Sequence, residues 1–189
     1  LVVCSLLTLS ITSCEKDLLE KEQYQKEIYL IGAYNRVWTT EVSYSNEEVK
    51  TYFTVSSSGT LALDRDVNVK MKINEELVDI YNRKYWTVLN EDKYYKSLDT
   101  DLYSIPSLEN TVIKHAEGIS AEVPVLIKTA SLKIDQSYVI PVEIESTTGY
   151  PISTSGCKML VLLKLKNDYS GSYQMSGHTT LEGETPKTI

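Results

Sequence analysis

The feature that most constrains the fold of this chain is a repeated alternation of apolar and polar residues. Successive side chains of a β-strand point to opposite faces, so a period of two predicts strands with one buried face. The alternating stretches are rich in Val, Ile, Tyr and Thr, which favour strands. They lie at residues 28–31, 37–44, 49–55, 67–73, 123–127, 138–144 and 159–165, with a shorter one around 111–113. Seven to eight such strands predict an all-β protein folded as a β-sandwich.

One segment replaces this alternation with a helical pattern. Asn74 is a good N-cap residue, and Glu75 and Glu76 suit the first turn of a helix. The apolar face would hold Leu77, Ile80, Tyr81 and Tyr85. We predict a short helix at about residues 74–85 that crosses one end of the sandwich. Residues 86–110 are long and irregular, and predict either a functional loop or a loop with one edge strand.

The N-terminus has the features of an export signal. Residues 1–11 are almost wholly apolar, too few for a helix that crosses a bilayer, which takes about 20 residues. Two small polar residues then precede Cys14. This arrangement resembles the end of a bacterial lipoprotein signal in its loose Bacteroidetes form, and a buried N-terminal strand is the alternative. The resemblance implies that residues 1–13 are a signal peptide truncated at its start, and that Cys14 is lipidated and anchors the protein in a membrane.

Two further expectations concern the region around Cys14. The acidic residues Glu15 and Asp17 resemble the signal that sends such lipoproteins to the outer membrane, facing the cell exterior. Residues 14–25 are charged and lack strand alternation, so we predict a tether that lifts the first domain off the membrane. A short amphipathic helix is the alternative for this segment.

Composition excludes some classes of partner. The 189 residues carry a net charge of −7 and no basic cluster, so nucleic acid is not an expected partner. A polysaccharide imposes no such charge requirement. Of the three cysteines, Cys4 lies in the signal and Cys14 at the lipidation site, which leaves Cys157 without an intramolecular partner.

Residues that could carry catalysis or bind a metal are sparse. His115 and His178 lie far apart in the sequence without a zinc-binding motif around them. The spacing Asp64-x-Asp66-x-Asn68 resembles part of a calcium loop, but Val69 stands where that loop needs glycine. Cys157 has no paired histidine and begins an apolar strand. We therefore predict no catalytic residue, no metal site and no cofactor.

The feature that favours a ligand is aromatic. The chain has 14 Tyr and 2 Trp but a single Phe, and Tyr and Trp rings pack on the C–H faces of sugars while polar groups bond the sugar hydroxyls. The candidate binding surface lies on the long loop and comprises Trp86, Asn90, Glu91, Asp92, Tyr94 and Tyr95. The alternative is structural, because Tyr is common in strands and Tyr81 and Tyr85 are expected to anchor the helix to the core.

The order of these elements carries a family resemblance. Alternating valines from Val67 lead through Ile73 to Leu77-Val78 and Tyr81-Asn82, and Tyr138-Val139-Ile140-Pro141-Val142 follows later. This pattern resembles the immunoglobulin-like domain of unknown function at the N-terminus of Bacteroidetes surface lipoproteins from polysaccharide-utilisation loci. The resemblance covers residues 26–166 and implies an immunoglobulin-like β-sandwich. It departs at Leu89-Asn90, where Leu-Pro is usual, and at residues 115–118, where Pro-Ala-Gly is common.

The resemblance also implies how the chain is organised and what it does. Residues 167–189 resemble the beginning of a β-rich second domain, and about twenty residues cannot bury a core, so we expect that domain to be truncated. The first implied function is non-catalytic capture or presentation of polysaccharide beside outer-membrane importer components. The second is the N-terminal spacer domain of a truncated surface glycoside hydrolase. The third is a structural or adhesive module that binds a protein or a host surface.

Overall fold

The computed structural model describes residues 21–86, 88–167, 169–172 and 174, with the backbone of residues 178–179 and 187–188. Two sheets contain strands β1 (Ile28–Leu30), β2 (Val37–Ser43), β3 (Glu48–Ser57), β4 (Val67–Ile73), β5 (Lys96–Ser97), β6 (Tyr103–Ser104), β7 (Thr111–Ile113), β8 (Ser120–Lys128), β9 (Tyr138–Thr147) and β10 (Lys158–Lys166). Strands β11 (His178–Thr179) and β12 (Lys187–Thr188) form a separate pair. Helix α1 spans Glu76–Tyr85, and short 3-10 helices span Ala33–Asn35, Val88–Lys93 and Thr100–Leu102.

The two main sheets have four and six strands. The four-stranded sheet has the order β1-β3-β8-β6, and the six-stranded sheet has the order β2-β10-β9-β4-β7, with β5 added beside β9. Long pairs such as β3 with β8 and β10 with β9 are antiparallel, whereas β2 runs parallel to β10. The parallel pair joins elements more than a hundred residues apart in sequence, so the six-stranded sheet forms only when both ends of the domain meet.

The core lies between the two sheets and follows the alternation seen in the sequence. Four of the long strands direct alternate side chains inward: Phe53 and Val55 from β3, Val67, Val69 and Met71 from β4, Val123, Val125 and Ile127 from β8, and Met159, Val161 and Leu163 from β10. All of these are buried, with Phe53 only 1% exposed. This agreement confirms the predicted all-β sandwich with one short helix.

Strand β10 is an interior strand of the six-stranded sheet. Its residues pair with β9 on one side and with β2 on the other. Because Val161 is fully buried and Leu163 is 2% exposed, β10 also contributes to the core between the sheets. The sandwich therefore extends at least to Lys166.

The sequence predicted the apolar face of the helix only in part. Ile80 and Tyr85 were expected against the core, yet they are 53% and 49% exposed. The residues that α1 buries are Val78 and Asn82. Asn82 is polar, but its side chain has partners beneath the helix, and this contact turns the face containing Val78 and Asn82 toward the sheet. The helix begins one residue later than the predicted N-cap implies, because Glu75 occupies the N-cap position without a side-chain cap, while Asn74 Oδ1 accepts from the Glu76 N–H at 3.2 Å.

The last residues of the predicted tether lie against the sandwich. Glu22 forms an ion pair with Lys26 and accepts hydrogen bonds from the backbone N–H groups of Thr60 and Leu61. Lys26, followed by the Thr60 N–H, lowers the pKa of the Glu22 carboxyl to about 2. The predicted lipidation site, Cys14, lies outside the described residues. None of the helices in the described part of the chain has the length and apolar content of a membrane span.

Candidate functional site

Helix α1 lies on the outer face of the six-stranded sheet, against β9 and β10, and not across one end of the sandwich as predicted. Val78 packs there on Val139 of β9 and Leu160 of β10, which form a second small hydrophobic cluster. Leu77, Tyr81 and Tyr95 pack around this cluster and are partly buried. Helix α1 therefore covers this part of the outer sheet face, and one side of the helix stays accessible to solvent.

Asn82 attaches the helix to the start of the segment before β5. Its Nδ2 donates to the carbonyl oxygen of Tyr95 at 2.9 Å, and its Oδ1 accepts from the Tyr95 N–H at 3.0 Å. The side chain is only 5% exposed, so both bonds are shielded from water. Buried backbone polar groups need partners, and Asn82 supplies both for Tyr95. This pair of bonds holds the backbone from which the Tyr95 ring extends.

Three tyrosine rings form a row beside α1. Tyr95 stacks on Tyr81 with ring centroids 5.2 Å apart and planes 11° apart. Tyr81 meets Tyr85 at 4.5 Å and 33°. Burial, followed by the neighbouring Tyr95, raises the pKa of Tyr81 to about 12. The row runs from the partly buried Tyr95 through Tyr81 to the half-exposed Tyr85, where an aromatic surface reaches solvent.

An open cleft lies between α1 and the start of β10. Leu77, Ile80 and Tyr81 line it on the helix side, and Leu160 lines it on the sheet side. The other lining residues include Tyr85 and three cations, Arg36, Lys84 and Lys158. The cavity volume of this open cleft is about 50 Å³. We name it the α1 cleft. It combines an apolar floor, an exposed ring and hydrogen-bond donors, which is the chemistry of a small-ligand site.

The residues of the predicted binding surface lie next to this cleft, but not all in one cluster. Tyr95 stacks in the tyrosine row, while Tyr94 is half-buried and its carbonyl oxygen accepts from Gln136 Nε2 at 3.4 Å. Trp86 follows the end of α1 and is half-buried, with Lys93 Nζ 5.7 Å from the centre of its ring. Its buried Nε1 has no hydrogen-bond partner among the described residues.

The polar members of that surface lie on the 3-10 segment after Trp86. Asn90 is half-buried, while Glu91 and Asp92 are exposed. Their binding role remains a prediction. Arg36, Lys84 and Lys158, which line the cleft, were not predicted from the sequence, and Tyr81 and Tyr85 were expected in the core. The helical spacing of Leu77, Ile80, Tyr81 and Lys84 was the available signal, because these positions share one side of a helix.

The acidic residues that resembled part of a calcium loop are bonded to other groups. Arg65 and Tyr150 bond the Asp64 carboxylate and hold its pKa well below the usual range. Asp66 faces His115 Nδ1 at 2.6 Å, and this contact lowers the pKa of Asp66. Within residues 21–86, 88–167 and the short described stretches beyond, no group of three or more His, Cys, Asp or Glu side chains could hold a metal ion.

Comparison with family models identifies the domain. The family model described as "-like, N-terminal domain" matches residues 24–151, and one described as "-like, C-terminal" matches residues 157–189. The chain belongs to this N-terminal domain family. The assignment confirms the resemblance carried by Leu77-Val78 and Tyr81-Asn82. The second match begins one residue before β10, so in this chain the six-stranded sheet combines strands from both matched regions. A search of curated proteins finds no match.

Solved structures share the fold of this N-terminal domain. A multidomain protein including DUF1735 from Bacteroides ovatus is 20% identical with a TM-score of 0.57, over 82% of this chain and 51% of that one. A proposed carbohydrate binding protein from Bacteroides ovatus is 19% identical with a TM-score of 0.54, over 72% and 36%. EndoBT-3987 from Bacteroides thetaiotaomicron, solved with a Man5GlcNAc product, is 18% identical with a TM-score of 0.52, over 73% and 30%. The chain thus spans about half or less of each of these proteins.

Proposed function

We propose that this chain is a non-catalytic surface lipoprotein that helps to capture or present polysaccharide beside an outer-membrane importer. The observation that carries the proposal is the α1 cleft, where the half-exposed Tyr85 ring adjoins an apolar floor and a polar rim. A sugar offers C–H faces to an aromatic ring and hydroxyls to polar side chains, so such a site suits a glycan. The family and the carbohydrate binding protein of the same fold agree with this function.

A second depression in the surface of the same sheet favours a polymer over a single sugar as the ligand. It lies farther along the outer face of β10 and is lined in part by Thr39, Gln136 and Leu162. Leu160 and Leu162 both lie on the outer face of β10, line the two depressions and are about 7 Å apart along a strand, which rises about 3.3 Å per residue. A chain of two or three sugars would span that distance.

The first prediction tests the aromatic surface. Tyr85→Ala is expected to weaken polysaccharide retention about tenfold, because an aromatic ring that carries binding contributes more than about 1 kcal/mol and about 1.4 kcal/mol is a factor of ten. The measurement is affinity electrophoresis of the 189-residue chain through gels that contain neutral and acidic polysaccharides. Thermal stability should change little, since Tyr85 is half exposed.

Tyr52→Ala is the matched control. Tyr52 lies on β3 in the other sheet, is 40% exposed and has Lys50 Nζ 5.0 Å from its ring, as Tyr85 has Lys84 Nζ at 5.3 Å. Equal loss of retention in both variants would reject the α1 cleft as the site. Trp86→Ala and Tyr94→Ala in the same assay decide whether the predicted loop takes part, because lost stability with unchanged retention would assign these rings to packing.

A spacer domain is the second candidate function. It is favoured by EndoBT-3987, in which this fold forms part of a longer chain solved with an oligosaccharide product. A spacer positions its neighbour and needs no ligand of its own. If no polysaccharide retards the 189-residue chain in any gel, the spacer is supported and the capture function is rejected for this domain.

The lipoprotein part of the proposal rests on residues 1–14. Cys14→Ala in the full-length precursor is expected to abolish lipid labelling and to release the protein from the membrane fraction, because the thiol that accepts the lipid is removed. Detergent partitioning and incorporation of a labelled fatty acid measure both effects. Cys157→Ala is the control and should leave both unchanged. Continued membrane association of unlabelled Cys14→Ala protein would contradict lipid anchoring.

A further inference from the structure

We infer that the glycan bound in the α1 cleft is anionic, with a carboxylate or a sulfate on the sugar that meets Tyr85. This inference rests on the proposed glycan-binding function and deepens it by assigning a class of ligand. It is carried by the charges at the cleft. Arg36, Lys84 and Lys158 come from three separate segments of the chain and line one opening, although the protein as a whole carries a net charge of −7.

Two of these cations have no carboxylate of their own. The third cation, Lys158, lies 3.3 Å from the carboxylate of Glu143, which also faces Lys72 at 3.9 Å. Arg36 and Lys84 form no ion pair with any carboxylate of the described residues. A ligand with an acidic group would supply the missing opposite charge, and such complementarity favours the matching partner over neutral ones.

The structure also shows how Arg36 and Lys84 are positioned at the cleft. Arg36 adopts a left-handed backbone conformation with φ of 63°, donates its N–H to Ala33 at 2.8 Å and accepts from the Leu160 N–H at 2.8 Å. Its backbone is therefore bonded to the strand that lines the cleft. Lys84 Nζ lies 5.3 Å from the centre of the Tyr85 ring. A sugar stacked on Tyr85 would place a ring substituent within reach of Lys84, and a guanidinium can bond carboxylate or sulfate oxygens in pairs.

The test compares polymers that differ only in charge. The 189-residue chain is run by affinity electrophoresis against polygalacturonate and its methyl ester, and against dextran sulfate and dextran. We expect stronger retention by at least one charged polymer than by its neutral partner, and the pair that differs identifies carboxylate or sulfate. Raising NaCl from about 0.05 M to about 0.5 M should reduce this preference, because salt screens exposed charges.

Charge-removing variants locate the effect. Lys84→Gln and Arg36→Gln are each expected to weaken retention by the charged polymer about two- to fivefold, which is the range of exposed ion pairs, and to leave the neutral polymer unaffected. Arg83→Gln is the matched control, since Arg83 is an exposed cation of the same helix that does not line the cleft. Equal losses from Arg83→Gln and Lys84→Gln would mean general attraction by charge and would overturn the inference.

Failure of this inference is distinct from failure of the proposed function. Equal retention by charged and neutral polymers, lost in Tyr85→Ala but not in Lys84→Gln, would overturn the anionic ligand while keeping the glycan site. Absence of retention by every polymer would reject both. Retention by charged polymers that depends on Tyr85, Arg36 and Lys84 would support both.

Discussion

A fragment of residues 21–156 is expected to remain unfolded, whereas a fragment of residues 21–167 is expected to fold as a β-sandwich. The shorter fragment lacks β10, which pairs with both β9 and β2 and buries Met159, Val161 and Leu163 in the core. Loss of each large buried side chain costs about 2–5 kcal/mol, and the total stability of a domain is about 5–15 kcal/mol. Loss of β10 with its hydrogen bonds therefore removes most of that stability.

Circular dichroism and thermal unfolding of the two fragments measure this difference. The longer fragment should show a β spectrum and a cooperative transition, and the shorter one neither. The two differ by eleven residues that begin with Cys157 and include β10, so the longer one serves as the control. A cooperative transition in the shorter fragment would show that residues up to 156 form a sandwich without β10.

The strands of this domain could be predicted because burial imposes their pattern. A strand with one face in the core must place apolar residues at every second position, as Val67, Val69 and Met71 do in β4. Strands β5 and β6 have two residues each and show no such period, so the sequence offered only a long loop with one possible edge strand. The parallel pairing of β2 with β10 also leaves no local signal.

The site was harder to predict because its residues converge from distant segments. Arg36, Lys84 and Lys158 each read as an ordinary surface cation, and only the packing of α1 against β10 brings them to one cleft. Aromatic composition led to Tyr95, which belongs to the tyrosine row beside the proposed cleft. The exposure of Tyr85 depends on how α1 is rotated, and Asn82 sets this rotation through a residue that lies thirteen positions later in the chain.

Asn82→Ala is expected to lower the free energy of unfolding by about 2–4 kcal/mol, the largest effect we predict for a single polar side chain. The substitution leaves the N–H and carbonyl of Tyr95 without these partners in a partly buried position, and an unsatisfied buried group costs about 1–3 kcal/mol. Thermal unfolding should show a decrease of roughly 5–15 °C in melting temperature. Asn68→Ala is the control, because Asn68 is exposed and should change stability by about 0.5 kcal/mol or less.

Asn82→Asp separates the loss of these hydrogen bonds from a mere change of side chain. An ionised carboxylate can accept from the Tyr95 N–H but meets the Tyr95 carbonyl with like charge, whereas a protonated carboxyl can both accept and donate, as the amide does. Burial raises the folded-state pKa of the new group above its unfolded value of about 3.9, so the folded state binds the extra proton. Relative to the unchanged protein, this variant should be most stable below about pH 4 and lose stability as the pH rises through the folded-state pKa. Equal destabilisation at acidic and neutral pH would show that Asn82 does not hold Tyr95 through both bonds.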